Sequence, residues 1–173
     1  MTDVYSPVPE LNLLKEFEDG CDEAYAAWAW MDDFGEMEFL DDPRLKQGLL
    51  RFAQANLSGS IYALWKCDDG TDLASLPVVL LGDEGGIHVV ARNLREFFQV
   101  LGSLKGDLAC DLDEVFETDD AELPGQAQYL AWLGRHFGLA APEDPWDIIQ
   151  GAQEDLAQEL AEWISLLSSR AAE

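Results

Sequence analysis

The chain has 173 residues, of which 35 are Asp or Glu and 10 are Lys or Arg, for a formal net charge of −25 at pH 7. Binding to nucleic acid or to an anionic membrane needs clustered Lys and Arg, so this charge argues against both partners and favours a basic protein. Apolar residues make up 48% of the chain, too many for a disordered acidic tail. The length fits one domain over residues 1–173.

The compartment is predicted from two absences and from the spacing of the cysteines. The first residues lack the basic and apolar segments of a secretory signal, and no run approaches the roughly 20 apolar residues of a membrane span. The cysteines Cys21, Cys67 and Cys110 are odd in number and widely spaced, which is typical of reduced thiols. A cytoplasmic protein is expected.

Charge is distributed unevenly along the chain. Residues 1–56 hold 13 acids and 4 bases, residues 57–105 hold 6 and 4, and residues 106–173 hold 16 and 2. A nearly neutral centre therefore lies between two acidic extensions, which are expected to be helical.

In the first extension, two helices are predicted around an acidic loop. Residues 22–31 form the first, because Tyr25, Trp28 and Met31 recur at three-residue spacing. The loop covers residues 32–42. Asp42 and Pro43 then start a helix that runs to about residue 56, with an apolar stripe of Leu45, Leu49, Leu50, Phe52 and Ala53.

The centre predicts three strands and a helix. Short apolar runs at Ser60–Lys66, Leu76–Leu81 and Ile87–Ala91 are separated by turns at residues 67–72 and at Gly85-Gly86. On the third strand, Ile87, Val89 and Ala91 are expected on one face, with His88 exposed on the other. Asn93 is the expected N-cap of a helix that continues through Leu101, with Glu96 in a capping box.

In the last extension, residues 106–123 are predicted to be irregular and are followed by a helix over Gln126–Phe137. Asp144 and Pro145 start the longest helix, which runs to about Arg170. Its core stripe is Ile149, Ala152, Leu156, Leu160, Trp163 and Leu167. Together these elements predict an α+β domain with a curved, mostly antiparallel sheet packed by the helices of both extensions.

The sequence predicts no catalytic, cofactor or metal site. It contains no Gly-rich phosphate loop with Lys, no Gly-x-Ser-x-Gly and no His-Glu-x-x-His. His88 and His136, the two histidines, are expected to be a solvent-facing strand residue and a helix-end residue. Residues 68–72 resemble the start of a calcium loop but lack its closing Glu, so a hairpin turn is favoured.

A partner-binding surface is predicted from acidic clusters seeded with Phe or Leu, because apolar anchors ringed by charge give both affinity and fast association. Such carboxylates also keep a protein soluble, and that interpretation stays open. The candidate partner-binding residues are Asp32, Asp33, Glu36, Glu38, Asp41, Asp42, Asp83, Glu84, Asp111, Asp113, Glu114, Glu117, Asp119, Asp120 and Glu122.

The central segment resembles the SUKH superfamily, which includes fungal cell-wall-synthesis regulators and many bacterial immunity proteins. The resemblance lies in the order of its motifs: Ser60-Ile-Tyr-Ala-Leu-Trp65, Leu76-Pro-Val-Val-Leu-Leu-Gly82, Glu84-Gly-Gly86, Val89-Val-Ala91, Asn93-Leu, and the helix from Phe97 to Leu101. Its acidic, helix-rich ends depart from the short family core.

The resemblance implies an α+β fold without catalysis and, for a bacterial member, the neutralisation of a cognate toxin, often a nuclease. The acidic composition agrees with a basic toxin surface as the target. Two other functions stay open: a non-catalytic regulatory or scaffold protein, and an acidic mimic of nucleic acid.

Overall fold

The computed structural model describes residues 5–23, 30–35, 43–55, 59–66, 72–82, 86–103 and 124–171. Their helices are α1 (Pro9–Asp19), α2 (Pro43–Gly48), α3 (Leu94–Ser103), α4 (Gln126–Phe137) and α5 (Pro145–Ala171). Their strands are β1 (Trp30–Gly35), β2 (Leu49–Gln54), β3 (Ile61–Trp65), β4 (Val78–Leu81) and β5 (Ile87–Ala91). The predicted α+β class is confirmed.

The five strands form one sheet in the order β1-β2-β3-β4-β5, and every neighbouring pair is antiparallel. The register shifts between Met31 and Gly35, between Arg51 and Ala53, and between Val78 and Val79. Such bulges bend a strand and increase its twist, as a curved sheet requires.

The sheet carries a hydrophobic cluster on each face. On one face, sheet residues such as Phe52, Tyr62 and Leu80 pack with side chains of α1, α3 and α4. On the other face, residues such as Trp65 and Val79 pack with Ala152 and Leu160 of α5. Because both faces are covered, β3 is buried along its whole length and reads as a continuous apolar run rather than an alternating one.

The helix predicted from Asp42 to about residue 56 is wrong beyond Gly48, because Leu49–Gln54 is strand β2. In β2, two buried residues are followed by one that is partly exposed, and this order repeats once. The resulting spacing of three residues resembles that of a helix. The register shift between Arg51 and Ala53 produces this pattern, because a bulge interrupts the alternation of side chains between the two faces.

The helix predicted over residues 22–31 is also wrong at both of its described ends. Asp22 and Glu23 are not helical, and Trp30 and Met31 begin strand β1, which extends to Gly35 into the predicted acidic loop. The first extension is therefore not purely helical, since it supplies two strands of the sheet. Residues 24–29 and 36–42 lie outside the described residues.

Helix α1 was not predicted, although its sequence contains helix signals. Pro9 occupies the first turn, Leu11 and Leu14 are buried at three-residue spacing, and Lys15 Nζ lies 2.7 Å from Asp19 Oδ1 one turn later. The Glu18 carboxylate accepts a hydrogen bond from the Met31 backbone N at 2.9 Å, which ties α1 to β1.

The predicted central strands and helix are confirmed, with two differences in detail. Val78 pairs with Ala91 and Val79 pairs with Val89, so Val90 is an extra residue in β5. The alternation of faces is interrupted there, and Ala91 lies with Val90 in the core beneath α3 rather than with Val89. Asn93 Oδ1 caps α3 by accepting from Glu96 N at 2.9 Å, but the Glu96 carboxylate accepts from Arg92 N rather than from Asn93 N.

The helices of the last extension begin where the sequence predicts. Helix α4 covers the predicted residues and ends at Gly138, whose positive φ of 65° and backbone bond to the Gly134 carbonyl form a left-handed cap. Asp144 Oδ1 accepts from Trp146 N at 2.9 Å at the start of α5. Residues 104–123, which contain the predicted irregular segment, lie outside the described residues.

Tyr129 of α4 makes the stability of the fold sensitive to alkaline pH. Its side chain is fully buried, its hydroxyl donates to the Phe98 carbonyl oxygen at 2.6 Å, and burial raises the pKa of the phenol well above its ordinary value. The unfolded chain loses this proton near pH 10, whereas the folded chain retains it. The contribution of Tyr129 is therefore complete below about pH 10 and falls by about 1.4 kcal/mol per pH unit above it, up to the folded pKa.

We expect Tyr129→Phe to remove this part of the pH dependence. The free energy of unfolding, measured by urea titration at several values between about pH 9 and pH 11, should fall less steeply in the variant. All other side chains are common to the two proteins, so the difference in slope isolates Tyr129. Equal slopes would contradict the assignment.

Candidate interaction surface

Helix α5 lies across one face of the sheet, and its path determines which of its side chains face solvent. Near its start, a Cβ on Gly151 would come within 2.8 Å of Arg92 Nη2 at the end of β5. Near its end, the Trp163 ring packs 5.8 Å from that of Trp65 in β3 and also contacts Gly48. The helix therefore extends from the edge strand β5 towards β2. Its first turns also contact α3, and Ile149 is buried in the cluster on the other face of the sheet.

Arg92 fastens the first half of α5 to the sheet. Its Nε lies 2.6 Å from Asp155 Oδ2 and its Nη1 lies 3.1 Å from Glu96 Oε1. The hydrogen bond to Asp155, followed by that to Glu96, raises the pKa of Arg92. The guanidinium stays charged, so this link between β5, α3 and α5 persists over the physiological pH range.

The outward face of α5 is acidic and locally uncompensated. Glu154, Glu159 and Glu162 are exposed. Of these three carboxylates, Glu162 alone forms a side-chain hydrogen bond within the described residues, accepting from Gln158 Nε2 at 3.1 Å. Residues 136–169 contain seven Asp or Glu and no Lys or Arg. Among the described residues, Arg92 is the one base that forms an ion pair with this helix, so α5 presents a negative field to solvent.

An open groove of about 350 Å³ runs between the start of β5 and one flank of α5. Ile87 and His88 line its strand side, and Ala157, Leu160, Ala161 and Ile164 line its helix side. Ile87 also continues a row of aliphatic residues across the sheet, because it pairs with Leu81, which pairs with Ile61. We name this feature the β5–α5 groove.

A second, smaller groove of about 270 Å³ lies between α1 and α4 and brings Cys21, Glu16, Gln128 and His136 together. Cys21 is a free thiol, and its Sγ lies 3.3 Å from the Glu23 carbonyl oxygen and 3.6 Å from Gln128 Oε1. Both partners accept the thiol proton as a hydrogen bond, and neither is a base that would remove it. These contacts do not form a nucleophile–base pair.

The two histidines occupy the predicted positions. His88 is exposed on β5, with its ring folded towards Gly86, and His136 is exposed in the last turn of α4 with its ring 5.4 Å from that of Trp132. Asp72, from the calcium-like segment, caps the 3-10 turn at Leu73–Ser75 by accepting from Ala74 N at 3.2 Å. In the part of the chain that the structure describes, no group of three His, Cys, Asp or Glu could hold a metal ion.

Most of the predicted partner-binding residues lie outside the described residues. This holds for Glu36, Glu38, Asp41, Asp42, Asp83, Glu84, Asp111, Asp113, Glu114, Glu117, Asp119, Asp120 and Glu122. Asp32 and Asp33 are placed by their backbone in strand β1 rather than in a loop.

Sequence reasoning assigned the acids of α5 to its polar faces but not to a site. The signal that could have identified them is the absence of Lys and Arg between His136 and Ser169. Ordinary solvent-exposed helices mix both signs of charge, so this bias is informative.

Within the described ranges, no helix combines the length and the apolar character needed to cross a membrane. Comparison of the chain with protein-family models, with curated proteins and with solved structures gives no match.

Proposed function

We propose that this chain is a cytoplasmic immunity protein that binds a cognate toxin domain with a basic surface and neutralises it by covering that surface. The observation that carries the proposal is the acidic outward face of α5, where Glu154, Glu159 and Glu162 are exposed and, among the described residues, form no ion pair. Carboxylates held on a helix that is packed against the sheet attract a basic partner and do not reorganise on binding.

The resemblance of residues 60–101 to the SUKH superfamily supports the same function, since many bacterial members are immunity proteins. A nuclease toxin is the favoured target because its substrate-binding surface is basic. The proposed mechanism is occlusion: the acidic protein occupies the surface that the nucleic acid would occupy, and it performs no chemistry itself.

Co-expression tests the proposal directly. A toxin gene beside the gene for this chain is the expected neighbour, and co-expression of the two proteins should restore growth that the toxin alone prevents. Absence of rescue together with absence of a complex in a pull-down between the two purified proteins would refute the immunity function. A complex with a housekeeping protein instead would favour the regulatory alternative.

Two further measurements separate occlusion from other mechanisms. The association rate with the toxin should fall about tenfold or more between about 50 and 500 mM salt, because charge steering is screened. Charge reversal at Glu154, Glu159 and Glu162, or within residues 111–122, should slow association more than it changes the unfolding midpoint. A salt-independent association rate would contradict electrostatic occlusion.

The non-catalytic nature of the proposal is tested at the α1–α4 groove. Cys21→Ser and His136→Gln should both neutralise the toxin as well as the parent protein does, because neither side chain takes part in occlusion. A variant that folds but fails to neutralise would instead indicate that this groove performs chemistry.

A further inference from the structure

We propose that the β5–α5 groove receives a short amphipathic helix of the partner, with apolar side chains inserted in the groove and Lys or Arg side chains against the carboxylates of α5. The identity of the partner rests on the proposed function, but the groove and its preferred ligand can be tested without the toxin.

The groove offers side-chain contacts rather than strand addition. β5 is an edge strand, since the sheet order ends with it, and edge strands are common templates for an added strand. However, Val89 is 1% exposed and Val90 and Ala91 are 0% exposed, so the middle and end of β5 are inaccessible to another backbone. A partner can reach Ile87 and the flank of α5 instead.

The shape of the groove fits a helix of about three turns. Its helix side extends from Gln153 to Ile164, which corresponds to about 16 Å along the axis of α5. Ala157 and Ala161 are exposed there, and such small side chains, one turn apart, allow another helix to approach closely. Ile164 and Ile87 are partly exposed and supply the apolar lining that anchors spaced at i, i+3, i+4 and i+7 would contact, and the buried Leu160 forms the floor beneath them.

The charge around the groove specifies a basic partner. Glu154 is exposed three residues before Ala157 and seven before Ala161, which places it at the rim of the groove, and α5 contains no Lys or Arg before Arg170. A second copy of this chain is a poor occupant, because each copy carries a net charge of −25 and would bring like charges together. A helix with apolar anchors flanked by Lys or Arg would contact the apolar lining with the anchors and the carboxylates of α5 with the basic side chains.

The probe is a synthetic helix-forming peptide of about 14 residues, with Leu at i, i+3, i+4 and i+7 and Lys at flanking positions, compared with a scrambled peptide of the same composition. Calorimetry with the full chain should show tighter binding of the patterned peptide. Ala157→Phe and Ala161→Phe fill the groove without changing the charge of the protein, and each should lower its affinity for the patterned peptide by about tenfold. Both positions are exposed, and circular dichroism verifies that each variant folds.

Matched controls separate the groove from general attraction to an acidic protein. Ala131→Phe makes the same change at an exposed position of α4 and should leave the affinity unchanged. Glu154→Gln should weaken the peptide more than Glu159→Gln, because Glu159 lies on the other flank of α5. Equal binding of the two peptides, or unchanged affinity in both groove-filling variants, would overturn the proposal.

The outcomes also distinguish this inference from the proposed function. If the toxin is neutralised equally well by Ala161→Phe, the immunity function stands and the groove assignment fails. If the patterned peptide binds as expected but no toxin is neutralised, the groove assignment stands and the proposed function fails. A concentration-dependent dimer that Ala161→Phe dissociates would assign the groove to a second copy and overturn the proposal.

Discussion

Phe97→Ala should lower the free energy of unfolding by about 3–5 kcal/mol, the cost of a large aromatic deletion in a close-packed core. Phe97 is 0% exposed in α3, and its ring lies 4.7 Å from that of Tyr62 and 5.4 Å from that of Phe52. The one side chain therefore joins α3 to both β2 and β3. Because domains of this kind are stable by only about 5–15 kcal/mol, the variant should be close to unfolding at physiological temperature.

Urea titration followed by circular dichroism measures the effect, and Arg95→Ala provides the control. Arg95 is exposed on the same helix and lies 5.9 Å from the centroid of the Phe137 ring, a contact worth about 0.5–1 kcal/mol at an exposed site. If Phe97→Ala lowers the free energy of unfolding by no more than Arg95→Ala does, this aromatic cluster does not hold α3 on the sheet.

Gly48→Ala should destabilise the protein by about 1–3 kcal/mol, because it overpacks the junction between α2, β2 and α5. A Cβ at this position would overlap Cζ2 of Trp163 and lie 3.0 Å from its Cη2. The Trp163 ring would have to move, and it would then lose its packing against Trp65.

Gly134→Ala is the matched control, and it is expected to raise the free energy of unfolding rather than lower it. Gly134 lies in the interior of α4, and the nearest atom to its Cβ would be the Leu139 carbonyl oxygen at an ordinary 3.7 Å. Alanine should stabilise this helix by about 0.5–1 kcal/mol. In a Trp163→Leu background the cost of Gly48→Ala should disappear, and a cost that persists there would show that another contact is responsible.

The elements that the sequence predicted well are those with local signals. Asn93 and Asp144 cap α3 and α5 with their own side chains, and Gly138 ends α4 in a left-handed conformation. Each of these signals acts within one helical turn, so it is readable without knowing the rest of the fold.

The elements that the sequence mispredicted depend on pairing with distant residues. The bulge in β2 gives its buried residues a spacing close to that of a helix, and only the pairing of β2 with β1 and β3 reveals the strand. The β5–α5 groove was equally hidden. Ala157 and Ala161 resemble ordinary small residues on a polar face, and only the path of α5 across the sheet places them opposite Ile87.

The face of the sheet beneath α5 has a consequence for synthesis on the ribosome. Trp65, Val79 and Val89 form that apolar face, yet the helix that covers them ends at Ala171, 80 residues after β5. At about 5–20 residues per second, this surface remains uncovered for roughly 4–16 s while the nascent chain emerges. Chaperones that recognise apolar segments should therefore engage this protein during translation and release it once α5 has docked.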